Sequence, residues 1–127
     1  METKRILVID DDPDELAALD LMLRTSDYKT MTASTGKAAL QMANMYRPDL
    51  LVLDLRMPVV DGFDVLGELR KSLPGLPVVV VTADEGKQTR ERAVGLGASA
   101  YLVKPFDAEV LVGEIRRLLH EPRALAE

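Results

Sequence analysis

Asp10, Asp11 and Asp12 stand in a row directly after one apolar run, and Asp54 closes a second. Thr82 closes a third, and Lys104, followed by Pro105, closes a fourth. If Asp10, Asp11 and Asp54 converge, three carboxylates crowd one small space and repel one another, so a cation must compensate. A hard divalent ion with oxygen ligands is the natural partner, and magnesium takes a few carboxylates, a carbonyl and several waters. Lys104 adds a positive charge without coordinating. A metal ion and a lysine together neutralise the oxygens of an incoming phosphoryl group. A carboxylate can then act as the nucleophile and form an acyl phosphate. Thr82 offers a hydroxyl to a phosphoryl oxygen, and Ala83 beside it leaves the approach open. Taken singly, each feature is ordinary: an aspartate after a strand caps a helix or fills a turn, as Asp12 before Pro13 is placed to do. Their joint occurrence at four strand ends carries the argument.

The elements that must position these groups follow from the apolar pattern. Short runs at 6–9, 29–33, 50–53, 78–81 and 101–103 alternate with amphipathic stretches. The first, third and fourth are continuous and largely aliphatic, as parallel strands buried on both faces require. The second alternates, which suits an edge strand. Helices are expected from Pro13 with Asp12 as cap and Leu16, Leu19 and Leu23 inward; after Ser34 or Thr35 with Ala38, Ala39, Met42 and Met45 on one face; and from Asp61 with Phe63, Leu66 and Leu69 inward, ending at Pro74-Gly75. A fourth, about 86–96, is weak because Gly86, Thr89 and Gly95 lie among charges. A fifth, about 107–119, carries Val110, Leu111, Ile115, Leu118 and Leu119. Five strands alternating with five helices imply a parallel sheet covered on both faces. The functional crevice of such a sheet lies beyond the carboxyl ends of its strands.

Composition limits the alternatives. The 127 residues suit one domain, 47% of them are hydrophobic, and mean hydropathy is near zero. No apolar run approaches the roughly 20 residues that span a bilayer. The opening residues run straight into a short apolar strand, so no secretory leader is expected there. There is no cysteine, which excludes disulfides and thiolate chemistry, and a cytoplasmic setting is expected. The net charge of −5 gives no general attraction to nucleic acid or anionic lipid. The basic pairs Arg70-Lys71 and Arg116-Arg117 read as solvated helix faces. The single histidine, His120, is far from the other candidates, which argues against histidine catalysis.

In combination the motifs resemble the receiver domain of two-component response regulators over nearly the whole chain. Residues 6–12 resemble its acidic motif, and residues 53–58, from Leu53 through Asp54 and Arg56 to Pro58, with Asp61-Gly62, resemble its phosphorylation loop. Val81-Thr82-Ala83, Gly97-Ala98 and Tyr101-Leu102-Val103-Lys104-Pro105-Phe106 complete the set. The resemblance implies a flavodoxin-like (βα)5 doubly wound α/β fold with strand order 2-1-3-4-5. It makes residues 1–120 the receiver and residues 121–127 a C-terminal tail or the start of a linker. It implies that Asp54 accepts a phosphoryl group from a sensor histidine kinase or phosphotransfer protein. Magnesium, or manganese in its place, would be held by Asp11 and Asp54, by Asp10 through water, and by the backbone carbonyl of Arg56. Thr82 and Lys104 would contact the phosphoryl oxygens, with Thr82 and Tyr101 forming the switch. A cis bond is implied between Lys104 and Pro105, and the side chains of Arg56 and Asp84 would tune the phosphoryl lifetime. The fourth helix, fifth strand and fifth helix would form the face for an output domain, an effector protein or a second copy, with no direct nucleic-acid or membrane binding.

Other functions are weighed on the same residues. A stand-alone phosphorelay intermediate is an alternative, and a degenerate docking receiver is disfavoured by the intact Asp, Thr and Lys set. A magnesium-dependent phosphohydrolase of the haloacid-dehalogenase type needs an aspartate two residues after the nucleophile, where this chain has Arg56. A flavodoxin-like flavin binder needs a hydroxyl- and glycine-rich phosphate loop, where this chain has three aspartates that would repel a phosphate.

Overall fold

The computed structural model describes residues 3–56 and 61–120; Met57 and Pro58 of the loop after Asp54, and the expected tail at 121–127, lie outside the described residues. The chain runs β1 (Arg5–Ile9), α1 (Pro13–Thr25), β2 (Lys29–Ala33), α2 (Gly36–Tyr46), β3 (Leu50–Asp54), α3 (Gly62–Ser72), β4 (Val78–Thr82), α4 (Lys87–Gly95), β5 (Ala100–Val103) and α5 (Ala108–Leu118). The strands form one sheet in the order β2-β1-β3-β4-β5, all pairs parallel, as the resemblance implied. The two edge strands are the least buried, while β3 and β4 are buried throughout.

Successive strand side chains point to opposite faces, so each continuous apolar run feeds two cores. Leu7, Ile9, Leu51, Leu53, Val78 and Val80 pack with Ala39 and Ala43 of α2, Val65, Leu66 and Leu69 of α3, and Ala93 of α4. Ile6, Val8, Leu50, Val52, Val79 and Val81 pack with Leu19 and Leu23 of α1 and with Leu111, Val112 and Ile115 of α5. Each such side chain contributes about 1.5–3 kcal/mol on burial, enough that a one-residue register slip is heavily penalised. The registry matters here because Ile9 pairs with Leu53 and Thr82 with Val103, which sets the polar strand ends side by side.

Helix starts follow local chemistry. The carboxylates of Asp12 and Asp61 accept from the backbone N–H groups of Asp14 and Phe63, and the Thr35 hydroxyl accepts from Ala38. Three expectations need correction. Met45, expected inward, is 71% exposed; the helix instead buries Ala43, because the small Ala39 and Ala43 lie against the sheet. Val110 is exposed on α5. Arg70 is no solvated charge: it is half-buried, its Nε and Nη2 donate to the Gly97 carbonyl at 3.0 and 2.7 Å, and Nη1 donates to Pro74 at 3.2 Å. It closes the carbonyls left open after α3 and α4. Gly97 follows α4 at φ +102°, where a side chain is strained.

Gly62 holds the loop after Asp54 for a different reason. Its N–H donates to the Leu55 carbonyl at 3.2 Å, and a Cβ there would meet the Leu55 Cα at 2.5 Å and its oxygen at 2.7 Å. Backbone cannot yield as a side-chain tip can. We expect Gly62→Ala to destabilise the domain by about 1–3 kcal/mol, measured by urea unfolding, whereas Gly67→Ala, with open space around it, is expected to be neutral or stabilising.

Candidate functional site

The carboxyl ends of the strands gather three acids around one lysine. Asp10 follows β1 and is fully buried, and Asp54 ends β3 with 7% of its side chain exposed. Lys104, two residues past Leu102 on β5, brings its ammonium between them. Its Nζ lies 3.3 Å from Asp54 Oδ2, 3.5 Å from Asp10 Oδ2 and 3.0 Å from Glu15 Oε2. Backbone amides complete the arrangement: Asp12 N–H donates to Asp10 Oδ1 at 3.0 Å, and Arg56 N–H to Asp54 Oδ1 at 3.0 Å. The Lys104–Pro105 peptide is cis.

Glu15 was not among the residues singled out from the sequence. Asp10, Glu15 and Asp54 each place a carboxylate oxygen within 4.8 Å of the others, the one such acidic group found among the described residues. Asp11, at the half-buried position after Asp10, is not in it. A glutamate in the first turn of α1 is an unremarkable helix residue until the fold brings Lys104 to it from 89 residues away.

Charge and burial decide the state of the cluster. At an effective dielectric of about 20, unit charges near 4 Å interact by roughly 4 kcal/mol, so three attractions to Lys104 approximately offset three repulsions among the acids. Burial then tips the balance. The Asp10 carboxyl is pushed up to about 6, first by desolvation and next by the Asp54 charge, while the Asp12 N–H and Lys104 oppose the rise. For Lys104 burial pulls downward, yet the Glu15 hydrogen bond with the charges of Asp54 and Asp10 outweighs it, and the ammonium is held above its ordinary value. Three acids against one lysine leave negative charge over, and the donors are all oxygen. That set fits a hard divalent cation.

Thr82 ends β4 almost fully buried, one register step from Asp54, and its Oγ1 accepts from the Asp84 N–H at 3.2 Å. Asp84 is a junction. Its carboxylate accepts from Gly86 N–H at 2.7 Å and from the Thr89 hydroxyl at 2.7 Å, and it faces Arg56 Nη2 at 3.7 Å. The Thr89 bond, then the Gly86 N–H and lastly Arg56 hold its carboxyl below the usual range. Gly86 has no side chain with which to cap α4, and Asp84 from two residues upstream ties the start of the helix through the Gly86 N–H and the Thr89 hydroxyl. Tyr101 is buried, its hydroxyl donates to the Asp84 carbonyl at 2.6 Å, and Arg90 of α4 lies over its ring at 5.4 Å. The Arg56 side chain is exposed, 70% open to solvent, so its ion pair with Asp84 is weak.

Asp10 sets a pH dependence. Its carboxyl binds a proton more tightly in the folded chain than near the unfolded value of 3.8, so this stabilisation is complete below that pH and is lost as pH rises through about 6. In metal-free buffer Asp10→Asn, which keeps the acceptor for Asp12, is expected to stabilise the domain at pH 7 by up to about 3 kcal/mol, the advantage vanishing near pH 4. Chemical denaturation across that range, with a chelator present, measures it.

Comparison with known proteins places these residues in a familiar setting. A family model described as the response regulator receiver domain matches residues 6–116. The transcriptional regulatory protein PrrA of Mycobacterium leprae is 41% identical over 126 residues, covering 99% of this chain and 54% of that protein. KdpE of Mycobacterium tuberculosis, also a transcriptional regulatory protein, is 39% identical over 122 residues, 96% of this chain and 54% of its own length. The chain thus spans about half the length of these relatives. Among solved structures, a CheY-like receiver domain protein from Methanospirillum hungatei superposes with TM-score 0.89 at 27% identity, covering 94% of this chain and 95% of that one. A putative response regulator from Chloroflexus aurantiacus gives TM-score 0.89 at 30% identity, covering 94% and 100%.

Proposed function

The chain belongs to the response regulator receiver domain family, and on that premise we propose that it is a phosphorylation-dependent signalling switch whose phosphoacceptor is Asp54. The observation that carries this reading is the buried Asp54 carboxylate held by Lys104 and by the Arg56 N–H at the strand ends. The Arg56 N–H occupies Asp54 Oδ1 and the Lys104 ammonium lies at Oδ2. An Asp54 oxygen attacks phosphorus, the bond from phosphorus to the donor's histidine nitrogen breaks, and an aspartyl phosphate results. Lys104 and the Thr82 hydroxyl then meet the phosphoryl oxygens. Rigid strand ends supply orientation, and the fixed positive charge supplies electrostatic stabilisation, the two effects that dominate such transfers.

Asp10, Asp11, Asp54 and the Arg56 carbonyl would hold a magnesium or manganese ion, with Glu15 beside them. When bound, the ion neutralises charge on the phosphoryl oxygens. The domain's own catalysis is limited to assisting its phosphorylation and dephosphorylation. Thr82, drawn toward the phosphoryl group, would release its bond to the Asp84 N–H and change the packing of Tyr101 and α4. The α4–β5–α5 face would pass that change to an output domain, an effector or a second copy. Support comes from α4 itself: Ala93 is its one fully buried residue, and its first turn hangs on Asp84. The partner is a sensor histidine kinase or phosphotransfer protein, which sets the exchange in the cytoplasm; the relatives named as transcriptional regulatory proteins support an output domain as the receiver of the signal. No helix among the described residues is long and apolar enough to cross a membrane.

Incubation with acetyl phosphate and magnesium should add the mass of one phosphoryl group, and Asp54→Asn should abolish that addition. Labelling of the variant at the wild-type rate would refute the assignment. Arg56 and Asp84 screen the site mouth against attacking water in this reading. Arg56→Ala is therefore expected to shorten the aspartyl-phosphate half-life several-fold, followed by loss of the mass adduct after donor removal; an unchanged half-life rejects the screening role.

A further inference from the structure

We infer that Glu15 is a positioning residue of this site: its carboxylate anchors the Lys104 ammonium in the resting domain and competes with the phosphoryl group for it. The inference rests on the phosphoacceptor reading above and adds to it a residue with no place in the acidic motif.

Glu15 lies third in α1 after the cap Asp12, the position from which a glutamate commonly reaches back to the cap's backbone N–H. That use is closed here, because the Asp12 N–H already donates to Asp10 Oδ1. Glu15 turns instead to Lys104, and the 3.0 Å contact is the shortest of the three the ammonium makes. The exposures differ in a telling way. The Lys104 side chain is 18% exposed and Asp10 and Asp54 are sunk beneath it, but Glu15 is 42% exposed. A carboxylate at the solvent edge is rehydrated cheaply when its partner leaves, whereas the buried pair would be left uncompensated. Glu15 is thus the partner from which Lys104 can depart.

Two effects follow with opposite signs. The Glu15 charge strengthens cation binding at the acidic cluster, to which its oxygen belongs. The same charge repels an anionic phosphodonor and detains the lysine that must meet it. A residue that merely packs α1 would affect neither, or would weaken both through loss of structure.

The test compares the wild-type chain with Glu15→Gln and Glu15→Asp, after thermal melts confirm that each folds. Affinity for Mn2+ alone is read by water-proton relaxation, and phosphorylation by acetyl phosphate at saturating Mg2+ is read by intact mass. Glu15→Gln is expected to weaken Mn2+ binding and to speed phosphorylation, each by about fivefold. Glu15→Asp keeps the charge but shortens the reach, so it should bind Mn2+ nearly as the wild type does while gaining much of the rate. Equal rates in all three proteins would overturn the proposal. A fast Glu15→Gln beside an unaltered Glu15→Asp would assign the effect to charge at a distance and overturn the anchoring of Lys104. A wild type that binds Mn2+ but takes no phosphoryl group would instead refute the phosphoacceptor reading, and the competition for Lys104 with it.

Discussion

The ammonium of Lys104 among the carboxylates of Asp10, Asp54 and Glu15 is the interaction on which the rest of the site depends. Without it, buried acids would face one another across a few ångströms at a cost no single hydrogen bond repays. With it, pairwise attraction and repulsion nearly balance, and desolvation of Asp10 is left as the deciding term. The result is a site kept electrostatically unfinished, ready for a cation or for a group that arrives with one. Buried charge of this sort is poor material for stability and good material for chemistry.

The sheet makes that arrangement possible. Parallel strands end together, so residues separated by most of the chain arrive at one rim once the register is set. The register is set by aliphatic side chains on two faces, with Leu51 and Leu53 committed to one core and Leu50 and Val52 to the other. The work is therefore divided along β1, β3, β4 and β5: apolar residues hold the register, and the last or next residue lines the polar rim of the candidate site. Gly62 continues the same logic into the loop, where absence of a side chain lets α3 begin against the Leu55 backbone.

From this rim the path to the surface runs through Asp84. Its backbone N–H donates to Thr82, its carbonyl accepts from Tyr101, and its carboxylate accepts from the Gly86 N–H and the Thr89 hydroxyl at the start of α4 while facing Arg56. One residue thus touches the site, the buried aromatic and the least buried helix. Thr82 and α4 are linked through covalent neighbours and the hydrogen bonds of Asp84, with no long chain of intermediaries. Arg70, bonded to Gly97 beyond the far end of α4, ties that end to α3.

Much of this was legible in the residues alone. The period of the apolar runs, the caps Asp12 and Asp61, the cap at Ser34 or Thr35 (Thr35 in the structure), and the polar residues closing four strands depend on local chain geometry, which sequence encodes directly. They were enough to identify the layered fold and to name Asp10, Asp54, Thr82 and Lys104 as neighbours. What sequence left undecided were contacts across elements whose local signals are mute. Glu15 looks like any first-turn acid, Arg70 like any surface base, and Met45 fits an inward stripe as well as Ala43 does. Only tertiary packing decides these, because each depends on what another segment places opposite: Lys104 after β5 for Glu15, the Gly97 carbonyl for Arg70, the sheet surface for Ala43. Local periodicity determined where the groups of this site would gather, and long-range packing determined which acid would hold the lysine.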